Sequence, residues 1–177
     1  MNNIELYTLF PKIYHHLLFL LVLFACVRIL KERRDNDFIN FSFHKPYSLL
    51  LLLIVVILVG FLPVPWHLGG DRVNYAFTFE EFALNRQIEI KKDFVFYKLM
   101  EIFSLFSSYT FFYVFLAFIY GYSRYYFAKK VTPNNIYLIL LVSFSSFSFY
   151  AYGVNTIRAG LALSILLIAI TNWNKKI

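Results

Sequence analysis

The sequence predicts an all-α polytopic membrane protein, a transmembrane helical bundle of about five spans, and three observations predict it. Of its residues 60% are hydrophobic and only 15% are charged, far from the balance of a water-soluble domain. The apolar residues come in blocks of about twenty, the length that crosses a hydrocarbon layer at about 1.5 Å per residue. The strict apolar and polar alternation of a β-barrel strand is absent.

The first span covers about residues 13–30. Lys31-Glu32-Arg33-Arg34 follows it where a signal peptide would show a small-residue cleavage site, so it reads as a retained span. The second, about 47–64, is closed by Pro63 and Pro65, which cannot continue a helix. The third, fourth and fifth are expected at about 109–127, 136–152 and 155–173. All five belong to a single integral membrane domain, 1–177.

Lys and Arg set the orientation, because short basic loops stay in the cytoplasm. Arg28, Lys31, Arg33, Arg34 and Lys45 lie between spans one and two, Arg124, Lys129 and Lys130 between three and four, and Lys175 and Lys176 after five. The segment 65–108 is balanced: Arg72, Arg86, Lys91, Lys92 and Lys98 stand against Asp71, Glu80, Glu81, Glu89, Asp93 and Glu101. It is therefore expected outside, with the N-terminus and the turn at Tyr152-Gly153-Val154 on the same face. The formal net charge of +7 is a topology signal of this kind, since the basic residues flank hydrophobic segments and line no nucleic-acid-binding face.

Within the external segment Tyr75, Phe79 and Phe82 fall at i, i+4 and i+7, the aromatic face of an amphipathic helix expected along the membrane surface. Asp93 is the expected N-cap of a second helix, with Val95, Leu99, Ile102 and Phe106 as one stripe and Lys98 and Glu101 on another side.

Two polar constellations stand out against this background. In GVNTIRAGLALS, if Asn155 caps the fifth helix, Arg158 falls in its first turn, where the helix dipole disfavours a cation by roughly 0.3–1 kcal/mol. Either an anion compensates, drawn by backbone N–H groups and the guanidinium fork together, or Arg158 snorkels to headgroups or pairs with Asp71. Gly160 and Ser164, four apart, supply a small-residue packing face. The other constellation is Gly69-Gly70-Asp71-Arg72, followed by Asn74 and Tyr75: either a turn that presents a carboxylate as base beside a guanidinium to a polar substrate near lipid, or a solvated turn in which Asp71 and Arg72 are helix-start residues.

Other candidates carry less. His67 could carry a proton, and His15 and His16 sit near the outer end of span one, but their spacing matches no metal pattern, so no metal is expected. Cys26 is the single cysteine and forms no disulfide framework. SFSSFSFY at 143–150 has no partner base and reads as hydrogen bonding between helices. No cofactor motif is visible.

At the two constellations the sequence resembles the EpsG family of bacterial membrane proteins, a branch of the Wzy-like polysaccharide polymerases. The likeness rests on GGDRVNYAFTF at 69–79, KDFVFYKL at 92–99 and NTIRAGLA at 155–162, in that order among spans. Where the family has Gln after the motif Arg, Ala159 stands here. The resemblance implies a glycosyltransferase that joins undecaprenyl-diphosphate-linked oligosaccharide repeat units at the outer face of the bacterial cytoplasmic membrane, in exopolysaccharide, capsule or O-antigen synthesis. It implies catalytic roles for Asp71, Arg72 and Arg158, with Glu80 or Glu81 in reserve, and substrate contacts at Asn74, Tyr75 and Asn155. The expected partners are the lipid-linked oligosaccharide, membrane lipids and other polysaccharide-assembly proteins, with no nucleic acid and no cofactor. Family members continue with further spans, so the resemblance also implies an N-terminal fragment. The rival readings are a transporter or flippase subunit for a lipid-linked saccharide, which should carry polar groups in mid-span, and a non-catalytic truncated membrane protein.

Overall fold

In the computed structural model, residues 3–34, 45–66, 70–86, 88 and 92–173 are described. They form eight helices and no strand: α1 (Asn3–Arg34), α2 (Lys45–Gly60), α3 (Asp71–Ala83), α4 (Phe94–Ser104), α5 (Tyr109–Val131), α6 (Ile136–Ser145), α7 (Phe147–Val154) and α8 (Ile157–Trp173). Expectations that fall on His67, Gly69, Glu89, Lys91, Lys175 and Lys176 lie outside the described residues.

The all-helical class is as expected, and the five spans are represented unequally. Among the described residues one stretch, Tyr7–Lys31 of α1, is long and apolar enough to cross a membrane, and α6 with α7 qualifies if the bent pair is one span. At 16 and 17 residues, α2 and α8 fall just short of such a length. Helix α5 has the length, 23 residues, but its tyrosines and Arg124 lower its hydropathy.

The expected fourth span is broken, with α6 and α7 meeting at 68°. The serines explain the break. Ser146 leaves the helical region, donates its hydroxyl to the Ser143 carbonyl at 2.7 Å and accepts from the Phe149 N–H, so it caps α7. The Phe144 carbonyl accepts instead from the Tyr14 hydroxyl of α1 at 2.6 Å. The serine-rich stretch thus serves its own helix ends, and the hydrogen bond between helices comes from a tyrosine that the sequence did not single out.

Helix α5 is the axis of the fold. One length of it, at Phe112, Tyr113 and Leu116, shares a core with α3 and α4; the next, at Ala117, Tyr120 and Tyr125, shares one with α1, α2, α6 and α7. Helix α2 runs antiparallel to it, Gly60 lying against Val114 and Leu52 against Gly121. Helix α8 runs parallel to it, with Gly160 at Tyr120 and Asn172 hydrogen bonded to Tyr126. The C-terminus of α2, the start of α5 and the start of α8 therefore meet at one end, and α3 and α4 pack there.

The aromatic face of α3 does not lie on a membrane surface. Tyr75, Phe79 and Phe82 are buried, with Tyr75 against Phe96 and Phe79 against Phe112, so this face closes the core between α3, α4 and α5. In α4 the buried side carries Phe96 and Met100, and the expected stripe is split, Leu99 packing partly buried against that core while Val95, 80% exposed, points outward. Both sides of α4 are apolar, and two of the stripe's members, Ile102 and Phe106, are exposed with it.

The approach of α2 to α5 depends on a missing side chain. A Cβ on Gly60 would lie 2.7 Å from the Val114 Cα, a backbone atom that can move only with its helix. At Gly121 the same addition meets Leu52 Cδ1, the free end of a side chain that can rotate away. Gly60→Ala is expected to cost roughly 1–3 kcal/mol and Gly121→Ala clearly less. Melting temperatures of the two purified variants test this, and equal losses would contradict it.

Candidate functional site

The site begins where α2 ends. Pro63 and Pro65 stop the helix, leaving the last carbonyls of α2 without intrahelical donors. Arg72, in the first turn of α3, supplies them: Nη1 donates to the Val59 carbonyl at 3.1 Å and Nη2 to the Gly60 carbonyl at 2.7 Å. A guanidinium at a helix C-terminus also meets the negative end of the dipole. Its plane lies over the Tyr113 ring, 4.1 Å from the centroid, and the Tyr113 hydroxyl donates to the Arg72 carbonyl. Arg72 is 3% exposed, and burial lowers its pKa to about 10, which leaves it charged at neutral pH. Its terminal nitrogens are thus committed to α2.

Holding Arg72 fixes its neighbours. Gly70, at φ 100, makes the turn into α3 in a conformation that favours glycine. Asp71 then sits on the first turn, and the Tyr75 hydroxyl points to its Oδ2 at 3.4 Å. Burial, with the Asp71 carboxylate beside it, raises the Tyr75 pKa to about 12. Asn74 is exposed, and its carbonyl accepts from the Thr78 hydroxyl.

Helix α8 brings Arg158 to the same place. Asn155 was expected to cap this helix; instead it ends α7, its N–H donating to Ala151 O, and the first bond of α8 runs from Gly160 N–H to the Thr156 carbonyl. Arg158 still falls in the first turn. Ile157, Gly160 and Ser164 are buried and set the helical phase, turning Arg158 to the exposed side, where Asn155 also lies. A Cβ on Gly160 would meet the Tyr152 carbonyl at 2.9 Å, so the α7–α8 turn closes tightly because that residue is glycine.

The partner of Arg158 is not Asp71 but Asp93. Nη1 of Arg158 is ion paired with Oδ2 of Asp93, and the guanidinium stands 5.6 Å from the centroid of the Tyr75 ring. Asp93 occupies the N-cap position of α4 as expected, yet its side chain makes no capping bond, and its backbone is left-handed at φ 56. The carboxylate is diverted from its own helix to Arg158. Sequence reasoning missed this role because the cap position explained Asp93 without it. The site therefore joins Asp71 and Tyr75 of α3, Asp93 before α4 and Arg158 of α8, with Arg72 beneath. Of the reserve acids, Glu81 pairs with Arg86 and Glu80 is exposed.

Behind Ile157 a narrow cleft runs between α5 and the α7–α8 turn, lined by Arg72, Tyr113, Tyr120, Tyr152 and Gly153 among others, with room for about one water (about 10 Å³). The Arg72 Nε and the Tyr120 hydroxyl, both without a partner among the described residues, belong to this lining. Below it lies Arg124, expected between the third and fourth spans and found within α5. Arg124 is about fifteen residues, roughly 22 Å, along α5. It donates from Nη1 to the Tyr120 carbonyl, Ser123 Oγ and Ser164 Oγ, and covers the Tyr120 ring at 3.7 Å. His15 packs between Tyr14 and Tyr150, and among the described residues no three of His, Cys, Asp and Glu converge as a metal site would require.

Fold and site define an all-helical bundle with a reachable guanidinium, set among carboxylates and a tyrosine, at one end. The comparison with known families makes the assignment more specific: the model of the EpsG family matches residues 48–177. The chain belongs to the EpsG family, membrane proteins of polysaccharide biosynthesis. Searches of curated proteins and of solved structures returned no match.

The two arginines differ in kind, and their removal should show it. Arg72→Ala strands two buried carbonyls that now receive charged donors and is expected to cost roughly 2–4 kcal/mol of stability. Arg158→Ala breaks an exposed pair worth about 1 kcal/mol at most. Thermal unfolding of the two purified variants decides the matter; a larger loss at Arg158 would overturn the distinction.

Proposed function

We propose that the protein acts in joining lipid-diphosphate-linked oligosaccharide repeat units, with Arg158 as the residue that holds the diphosphate. The observation that carries this reading is the state of Arg158: a first-turn guanidinium, exposed, held by Asp93 through a single nitrogen with Tyr75 beside it, at the bundle end where three chain segments meet. A planar fork beside a helix N-terminus matches phosphate oxygens in both geometry and charge. The bilayer setting draws support from helices that are apolar on their outer as well as inner faces, as at Phe19, Leu50, Leu53 and Phe118. The opposite end of the bundle carries Lys129 and Lys130, which supports an outward-facing site in the cytoplasmic membrane, with several crossings and the N-terminus outside.

In this mechanism a sugar hydroxyl of one repeat unit attacks the anomeric carbon of another, and the polyprenyl diphosphate leaves with the bonding pair. Arg158 stabilises the negative charge that develops on the leaving oxygen, the preorganised electrostatic help such a departure needs. Asp71, oriented by Tyr75, accepts or directs the proton of the attacking hydroxyl. Asn74 and Asn155, both exposed at the rim, offer amide contacts to sugar hydroxyls. Arg72 acts through position: by capping α2 it holds Asp71 and Tyr75 opposite Arg158.

A second reading, movement of a lipid-linked saccharide across the membrane, has its own observation in Arg124, a cation within the α5–α8 pair held by Ser123 and Ser164. One assay separates the two. The full chain in membranes, given lipid-linked repeat units, is expected to yield a polymer ladder that falls by about 10²-fold or more in Arg158→Ala at equal abundance. A ladder undiminished in Arg158→Ala would sink the polymerase role of this residue, and repeat units accumulating on the inner leaflet when the protein is absent would favour transport.

A further inference from the structure

We propose that Asp93 is the displaceable counter-ion of Arg158, holding the guanidinium in the ligand-free protein and yielding its place to a phosphoryl oxygen when the diphosphate binds. The inference rests on the anion-binding reading of Arg158 given above and adds to it a residue and a regulation.

Four features of the contact point this way. First, the carboxylate takes one prong of the fork, Nη1 to Oδ2, and does not hold it bidentately; with Tyr75 as the other polar neighbour, N–H donors of the five on a guanidinium remain for oxygens arriving from outside. Second, both side chains are reachable, 41% exposed for Arg158 and 47% for Asp93, and an exposed ion pair in high dielectric is weak enough to be exchanged. Third, the contact is favoured over the local alternative: Asp93 stands at the cap position of α4, yet it leaves the cap unmade and holds φ 56 while it reaches Arg158. A residue that gives up its own helix for a partner on another element is placed for that partner. Fourth, Arg158 has a second support in the Tyr75 ring, so it does not swing free when the carboxylate leaves.

The electrostatics fix the direction. A cation in the first turn of α8 sits against the positive end of the dipole, and a carboxylate there relieves that conflict in the empty protein. A diphosphate, with more charge and a bidentate geometry, relieves it better. Asp93 then competes with the ligand, and its removal should tighten anion binding. A residue that merely steadied Arg158 for the ligand would do the reverse.

The glycine variant tests this without a folding penalty, because glycine adopts φ near +60° more readily than aspartate. Binding of inorganic pyrophosphate would be measured by calorimetry on the full chain in nanodiscs, for wild type, Asp93→Asn, Asp93→Gly and Arg158→Ala. Asp93→Asn and Asp93→Gly are expected to bind pyrophosphate about fivefold tighter, the scale of one exposed ion pair. Asp93→Gly should match or exceed the melting temperature of the wild type, and Arg158→Ala should lose the binding. Arg158-dependent binding that stays the same or weakens in both Asp93 variants overturns this inference and leaves the reading of Arg158 standing. Equal binding by wild type and Arg158→Ala overturns both.

Discussion

The capping of α2 by Arg72 is the contact on which the rest of the site depends. Two prolines end α2 early and leave carbonyls that face the protein where water cannot reach them. One guanidinium satisfies two of these, stacks on Tyr113 and fixes the first turn of α3, so a single residue ties α2, α3 and α5 together. Without it the carbonyls of Val59 and Gly60 would have no donor, and the turn carrying Asp71 and Tyr75 would have no fixed relation to the bundle. Burying an Arg without a carboxylate is costly, and the negative end of the α2 dipole with a tyrosine face offsets that cost. The site is thus buried and fully bonded at its base and exposed at its rim.

How much of this was legible in the sequence depends on the range of the interaction. The helix ends at Pro63, the turn at Gly70 and the first-turn place of Arg158 are local, and each was readable from residues within a few positions. The phase of α8 was readable too, since Gly160 and Ser164 mark the packed side and leave Arg158 on the other. What the sequence hid were pairings across elements. Asp93 reads as a cap, and only the fold brings Arg158 to it over an interval of 65 residues. Arg72 reads as a guanidinium presented beside Asp71, whereas its terminal nitrogens turn to α2. The aromatic face of α3 was right in its period and wrong in its neighbour, because amphipathic spacing states that one side is covered and not whether protein or lipid covers it.

The broken fourth span shows the same limit from the other side. Composition and length both describe 136–152 as one apolar segment, and neither detects a 68° bend. The bend rests on Ser146 and on the Tyr14 hydroxyl, which reaches the carbonyl that the interrupted ladder leaves free. Inside a bilayer such interruptions persist only where protein groups satisfy the backbone, and here α1 does so. The bend lets α7 turn back toward the bundle end, which sets Gly153 against Val59 and brings α8 in at the level of Tyr113.

Two cations, Arg158 in the first turn of α8 and Arg124 of α5 at the α5–α8 contact, bound what the bundle can do. Arg158 has a carboxylate; Arg124 is met by a carbonyl, two hydroxyls and the rings of Tyr120 and Phe149, none of which carries a negative charge, and it would draw an anion inward from the rim. Between them, however, the cleft admits about one water, and Gly160 rests on Tyr120 and on the Tyr152 carbonyl. No diphosphate passes through that space unless α8 parts from α5, which would break the Arg124–Ser164 and Tyr126–Asn172 bonds together. In the conformation described, the closed cleft therefore leaves the exposed end of Arg158 as the place where an anion meets the bundle, which agrees with the reading of chemistry at the rim proposed above.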